Sequence, residues 1–265
     1  MIKRFYIVAM LLFTGNAWAG AWLEPQGQGQ MITTLTHYAT DASFNANGSR
    51  VSQTGSYSKY EADMYLEYGL TENYTIGIQP NYQWDKDAGK SNSNLGDTAL
   101  FVRRHIWNND YNVVSVQGLV TIPGPYNVHD QPAPGYGQTD LELRGLYGHS
   151  GNISTIPYFT DLEGAYRERF NGPADEIHLD GTFGLKPIKG LMLLGQSFNT
   201  IGLNNASTHT FVAPNAPDYD LSTLEFSGVI DMPKGFSLQL GTAIDIAGRN
   251  TGSGISELIS VWRKF

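Results

Sequence analysis

Beyond Gly20, apolar and polar side chains alternate with a period of two, and the 3.6-residue period of an amphipathic helix is almost absent. Tyr60, Ala62, Met64, Leu66 and Tyr68 share one face, while Lys59, Glu61, Asp63, Tyr65 and Glu67 share the other. Ile177, Leu179, Phe183 and Leu185 oppose Glu176, His178, Asp180, Thr182 and Lys186 in the same way. The pattern predicts about twelve strands, over 28–40, 57–69, 74–85, 95–107, 111–122, 138–148, 153–167, 176–187, 191–201, 221–231, 236–247 and 254–265. Connections alternate between short (70–73, 108–110, 149–152, 188–190, 232–235) and mostly long (41–56, 86–94, 123–137, 168–175, 202–220). An even strand number with short and long loops at opposite ends is the pattern of an antiparallel transmembrane β-barrel. The expected fold is therefore all-β, a single barrel domain over 20–265.

A secreted β-sandwich also alternates, so the period alone does not separate the two folds. Three further features favour the barrel. Segments of 11–13 residues suit a tilted membrane crossing. Tyr68, Tyr74, Trp84, Trp107, Tyr111, Tyr147, Tyr158 and Trp262 crowd strand ends, as interfacial girdles do. Ile259, Val261 and Phe265 share the final apolar face, a terminal pattern suited to barrel-assembly machinery, with Arg263 as a departure.

The first 19 residues read as an address. Lys3 and Arg4 precede an apolar run from Phe5 to Phe13, and Ala17-Trp18-Ala19 is an A-x-A site, so export with cleavage after Ala19 is expected. The run is too short for a membrane anchor, which needs about 20 apolar residues. Without Lys3 and Arg4 the chain carries 15 basic residues against 25 acidic ones. That balance and the 16% charged content argue against a nucleic-acid binder. The absence of cysteine removes disulfide scaffolds, thiol chemistry and cysteine-based zinc sites. A negative mean hydropathy excludes a bundle of membrane helices but not a barrel, in which every second residue faces water.

Several short stretches resemble one family. Tyr68-Gly-Leu-Thr-Glu-Asn-Tyr-Thr-Ile-Gly77, Leu95-Gly-Asp97-Thr, Tyr158-Phe-Thr-Asp161-Leu-Glu163 and Gly172-Pro-Ala-Asp175-Glu resemble the outer-membrane transporters associated with meta-pathway phenol degradation. Gly248-Arg-Asn-Thr-Gly252 and Trp262-Arg-Lys-Phe265 resemble that family's last hairpin. The resemblance spans most of the chain through degenerate motifs. It implies an outer-membrane barrel and a channel for small organic molecules, and brings no catalytic or ligand residues with it.

If the apolar faces meet lipid, the polar faces line the lumen. Lys59, Arg103, Arg144, Arg167 and Lys186 then face Glu61, Asp63, Glu67, Asp85, Asp97, Asp140, Glu142, Asp161, Glu163, Glu176, Asp180, Glu225, Asp231 and Asp245. A hairpin turning at Ser150-Gly151 would set Asp140 beside Asp161, and one turning near 171 would set Glu163 beside Asp180 and Arg167 beside Glu176. Such a carboxylate cluster either selects cations or fills a narrow barrel as a salt-bridged plug. Twelve strands tilted by roughly 40° enclose a backbone radius of about 12 Å, narrow enough for long side chains to close. Phe101, Leu119 and Phe159 also fall on polar faces, at one expected height, either as contacts for an apolar solute or as packing.

Catalysis is not expected. His37, His105, His129, His149, His178 and His209 form no metal-ligand spacing, and there is no G-x-S-x-G. His149-Ser150-Gly151-Asn152 superficially resembles an outer-membrane phospholipase set but falls in an expected short turn. Neither cofactor nor metal is implied. The expected role is a passive outer-membrane channel for small organic or cationic solutes, with lipid, periplasmic chaperones and assembly machinery as partners. The alternative is a barrel that does not transport and makes surface contacts through loops 41–56, 123–137 and 202–220.

Overall fold

The structure, a computed structural model, describes residues 20–87, 89–130, 132–207 and 216–265. The expected leader lies outside the described residues. Twelve antiparallel strands follow one another around a closed sheet: β1 (Gly29–Phe44), β2 (Arg50–Thr71), β3 (Tyr74–Gln79 and Asn81–Asp87), β4 (Lys90–Leu95 and Thr98–Asn108), β5 (Asn112–Ile122) and β6 (Asp140–Ile153) form one half. The other half is β7 (Ile156–Arg169), β8 (Glu176–Ile188), β9 (Leu191–Gly202), β10 (Asp220–Met232), β11 (Phe236–Arg249) and β12 (Thr251–Gly252 and Ile255–Lys264). Each strand pairs with its sequence neighbours, and β1 closes the sheet on β12 from Gln30↔Lys264 to Ala39↔Ile255. Closure leaves no edge strand, so the backbone ladder is satisfied all the way round. Pro80 has no N–H and interrupts β3, yet its carbonyl still accepts the Met64 N–H at 3.1 Å.

The core is polar, the inverse of a soluble sandwich. Gln30, Glu67, Thr75, Ser115, Asp161, Glu176 and Ser260 are the most deeply buried large side chains. Leu143 (67% exposed), Leu162 (57%), Phe226 (59%) and Leu240 (54%) stand on the outer surface. An outward apolar belt around a polar interior is the arrangement a lipid solvent demands.

Alternation predicts faces well and turns poorly. The β6–β7 hairpin closes at Ile153↔Ile156, so it turns through Ser154-Thr155 rather than Ser150-Gly151. Ser150 remains in the sheet, its N–H donating to Tyr111 O at 2.8 Å, and Ser154 takes the positive φ of 58° that the tight turn requires. Asp140 therefore faces Arg169, and Asp161 faces Gly148, which corrects the expected Asp140–Asp161 pairing. The slip is eight residues, an even number, so every side chain keeps its face. Across β7–β8 the pairs Glu163↔Asp180 and Arg167↔Glu176 are found. His149 lies within β6 rather than in a turn, bonded to Asn112 Oδ1 at 2.8 Å and Tyr158 Oη at 3.1 Å. Trp262 is not part of an outer girdle; it is an even-numbered residue of β12 and points inward, 7% exposed.

The β6–β7 register is directly testable because the chain has no cysteine. Leu143 and Tyr166 are Cα partners, both facing outward. The double variant Leu143→Cys/Tyr166→Cys should form an intramolecular disulfide on mild oxidation. Leu143→Cys with Tyr158→Cys should not, since eight residues of strand separate Tyr158 from the partner position by roughly 27 Å. The reverse pattern, read by non-reducing mass analysis, would reject this register.

Candidate functional site

The lumen is divided lengthwise. Residues 20–28 precede β1 and run inside the wall from β7 around to β2. Ala21 is fully buried; its N–H donates to Asp161 Oδ2 at 2.7 Å and its carbonyl accepts from Ser115 Oγ at 2.6 Å. The Trp22 carbonyl accepts from Arg103 at 3.1 Å, and the Glu24 N–H donates to Thr75 Oγ1 at 3.0 Å. Gly27 N–H and Gln28 C=O pair with Gly69, each at 2.9 Å. The segment has no regular structure of its own, so the wall satisfies these backbone groups, at about 1 kcal/mol net for each bond. The Trp22 ring lies over Gly148, where a Cβ would fall 2.5 Å from a ring carbon, so only glycine admits the indole there. Burial, with Glu67 close by, pushes the Glu24 carboxyl up to about 7, which lowers the cost of docking this segment in the lumen.

Above this segment, the β6–β8 wall carries a network of ion pairs. Arg144 is its hub, reaching Glu142 at 2.8 Å, Asp180 at 2.8 Å and Glu163. Arg167 bonds Glu142 at 2.7 Å and lies 3.9 Å from Glu176. Arg169 bonds Glu176 at 2.5 Å and lies 3.9 Å from Asp140, while His178 Nε2 is 3.0 Å from Glu176. Thus Asp140, Glu142, Arg144, Glu163, Arg167, Glu176 and Asp180 are brought into one cluster, with Asp161 at its edge, beside Glu163 and bonded to Ala21. Arg169 was beyond reach of the strand pattern because the predicted segment stopped at 167. Its register position, two residues past Arg167 on the same face, is the signal that identifies it. On β4, Arg103 engages Glu67, Gln117 and Tyr65, each at 3.1 Å.

The remaining side of the lumen is open. A cavity of about 260 Å³ is lined by β1 and β7–β12, including Ile32, Thr34, Phe159, Gln196, Glu225, Gln239 and Ser260. Its lower end is an apolar collar of Phe159, Met192, Leu194, Val229 and Trp262, with Trp22 and Ile32 packed against it. Trp22 and Phe159 meet edge to face at 6.1 Å, and Trp262 Nε1 donates to Gln239 at 2.9 Å. A second cavity of about 570 Å³ lies toward the long loops and holds Tyr38, Tyr57, Lys59, Glu61, Asp63 and Asp245. Thr36 lines both cavities, so they are neighbours along the lumen wall. Glu61 pairs with Lys59 in this upper part.

The three apolar candidates separate. Phe101 faces Leu119 across β4–β5, is 4% exposed, and stacks on Tyr65 at 5.6 Å. Phe159 lies much nearer the short turns: the Leu119 level continues through Glu142 to Arg167, eight residues further along β7. They do not share one height, and of the three only Phe159 lines the open path. Met192, Leu194 and Val229 join Phe159 on the lumen face, and the sequence expectation for apolar lumen residues did not include them. Apolar residues at successive inward positions, Met192 then Leu194, are the signal that identifies them.

The loop over 123–139 folds across the long-loop mouth. Asp97, at the break in β4, accepts from Tyr126 Oη at 2.6 Å and Gly124 N–H at 3.1 Å. Asn92 donates to Pro132 O at 3.0 Å, and the Arg169 guanidinium lies 5.0 Å from the Tyr136 ring centroid. Pro132 and Ala133 consequently border the upper cavity. Among the described residues no cluster of three or more His, Cys, Asp or Glu is arranged to hold a metal ion.

This closed twelve-stranded architecture is that of an outer-membrane β-barrel. No family model matches the chain. No curated protein matches it. Among solved structures it is similar to an outer-membrane channel from Pseudomonas putida F1, with a TM-score of 0.74, 18% identity, and coverage of 95% of this chain and 100% of that one. It is also similar to the translocator domain of the autotransporter NalP from Neisseria meningitidis, with a TM-score of 0.50, 10% identity, and coverage of 91% and 90%. At these identities the likeness is one of fold.

Arg144 makes the network's energetics testable. Arg144→Ala strands Glu142, Glu163 and Asp180 without their shared cation, a loss of about 3–5 kcal/mol for a buried pair. Arg144→Lys keeps one charge without the planar fork and should lose less. Urea unfolding of the purified barrel, followed by tryptophan fluorescence, should rank wild type above Lys above Ala. Equal midpoints would show that the network contributes nothing to stability.

Proposed function

We propose that the protein is an outer-membrane channel, exported by its first 19 residues, that passes small organic solutes bearing an apolar part and a polar or cationic group. The observation that carries this reading is the pair of neighbouring lumen cavities, the lower one along β1 and β7–β12 and the upper one along β1, β2 and β10–β12. Its lower stretch offers aromatic and aliphatic walls facing Thr34, Gln196, Gln239 and Ser260, a surface suited to an amphipathic solute. Glu225, Glu61, Asp63, Asp87 and Asp245 line the two cavities against Lys59, a balance that disfavours anions. Among the described residues no ion pair holds Glu225. The fold likeness to an outer-membrane channel supports the same reading, as does the sequence resemblance to transporters associated with phenol degradation. Membrane lipid is the solvent of the outer belt, and periplasmic chaperones and the barrel-assembly machinery are the partners such a fold needs before insertion.

The alternative of a barrel that does not transport draws support from the plug and from the loop across the mouth. Planar-bilayer recording separates the two. A channel should give discrete conductance with a reversal potential shifted toward the cation in a salt gradient. Glu225→Gln combined with Asp245→Asn should move that selectivity toward unity. Hydroxylated aromatic solutes should block the current, and Phe159→Ala should weaken the block. Absence of conductance, together with no swelling of protein-containing liposomes in small sugars, would reject passage and leave the non-transporting reading.

A further inference from the structure

Asp161 is the unusual carboxylate of the lumen. It is 2% exposed, and among the described residues no guanidinium or ammonium group lies within ion-pair distance of it. The neighbouring cations are engaged elsewhere: Arg144 with Glu142, Glu163 and Asp180, and Arg103 with Glu67. Its partners are the neutral Ala21 N–H at 2.7 Å and the adjacent Glu163 carboxyl group. Two adjacent carboxyl groups, one of them buried, repel each other when both are ionised, and a cation at this position would relieve them.

The residue next to that amide is Gly20, itself buried. A Cβ built on Gly20 would collide with all three terminal atoms of the Asp161 carboxyl group, so the Gly20 Cα is pressed against the carboxylate. The Gly20 nitrogen is one bond, about 1.46 Å, from that Cα. The sequence places the expected cleavage point at the Ala19–Gly20 bond. Hydrolysis there, by the peptidase that removes export signals, adds water across the peptide bond. Ala19 leaves with a carboxylate, and Gly20 is left with an α-ammonium group, which is charged at neutral pH when paired with an acid.

We propose that Asp161 is the receptor for the mature N-terminus: processing creates the Gly20 α-ammonium, and its ion pair with Asp161 latches residues 20–28 into the lumen. Before cleavage, position 20 offers only a neutral amide. After it, the same position supplies the cation that Asp161 lacks, and glycine is required because any side chain meets the carboxylate. Export and processing are thereby coupled to closure of one half of the barrel. The latch stands whether or not a solute passes the other half.

The test is chemical and uses the full barrel purified from outer membranes. The amine is probed with a water-soluble N-hydroxysuccinimide ester at neutral pH, and the N-terminal tryptic peptide is quantified by mass spectrometry. The peptide should begin at Gly20. Its α-amine should react at least tenfold more slowly in the folded barrel than in the heat-unfolded chain, while exposed Lys189 reacts at similar rates in both. Asp161→Asn should abolish most of this protection, and insertion of Ser-Gly between Ala19 and Gly20 should do the same while leaving Asp161 intact. Should Asp161→Asn fail to fold, the wild-type rates and the insertion variant decide. A different mature N-terminus, or equal folded and unfolded reactivity at Gly20, would overturn the proposal. So would protection that survives in both variants.

Discussion

Closure of the sheet is the constraint on which everything else depends. Joining β1 to β12 pairs the last open ladder, and a chain with every backbone group paired can sit in hydrocarbon. Closure also fixes the direction of every side chain, because a two-residue period on a closed surface has only an inside and an outside. The apolar residues are committed to the outer surface, and the interior inherits carboxylates, guanidinia, amides and hydroxyls. The burial that stabilises a soluble domain is replaced here by lipid contact outside and by polar pairing within.

A barrel of about 12 Å backbone radius then has to dispose of its interior. This one does so asymmetrically. The wall from β2 to β8 is occupied by the segment over 20–28 and by the guanidinium–carboxylate network around Arg144 and Glu142, except toward the long loops, where Tyr57, Lys59, Glu61 and Asp63 border the upper cavity. The opposite wall, from β8 through β12 to β1, carries shorter or apolar side chains, Thr34, Met192, Leu194 and Ser260 among them, and keeps its space. Trp22 joins the two regions: it belongs to the plug by its backbone and to the apolar collar by its ring. Movement of the plug would therefore alter the collar.

The strand count and the facing of each side chain were legible because alternation is an averaged signal over twelve strands. The turn at Ser154-Thr155 was not, since Ser150-Gly151 carries better turn residues and pairing with β5 overrides them. An even slip left the faces intact and moved only the neighbours, which is why the lumen set is coherent while the Asp140–Asp161 pair is not. The plug had no sequence signal at all. It has no period, and its partners Ser115, Arg103, Thr75 and Asp161 lie far away in the chain. The collar was hidden for a different reason: Trp262 reads as an interfacial anchor by residue type, and the parity of β12, with Ile259 and Val261 outward, turns it into the lumen.

The central claim is that one half of the lumen is filled and the other is a water-accessible path. The cysteine-free chain allows a direct measurement: labelling of single cysteines by a membrane-impermeant maleimide in intact outer membranes. Thr36, which lines both cavities, represents the path, and Ser115, fully buried behind Ala21, represents the filled half. Thr36→Cys should label readily and Ser115→Cys should be protected until the barrel is unfolded. Equal labelling at the two positions, or protection of both, would contradict the division.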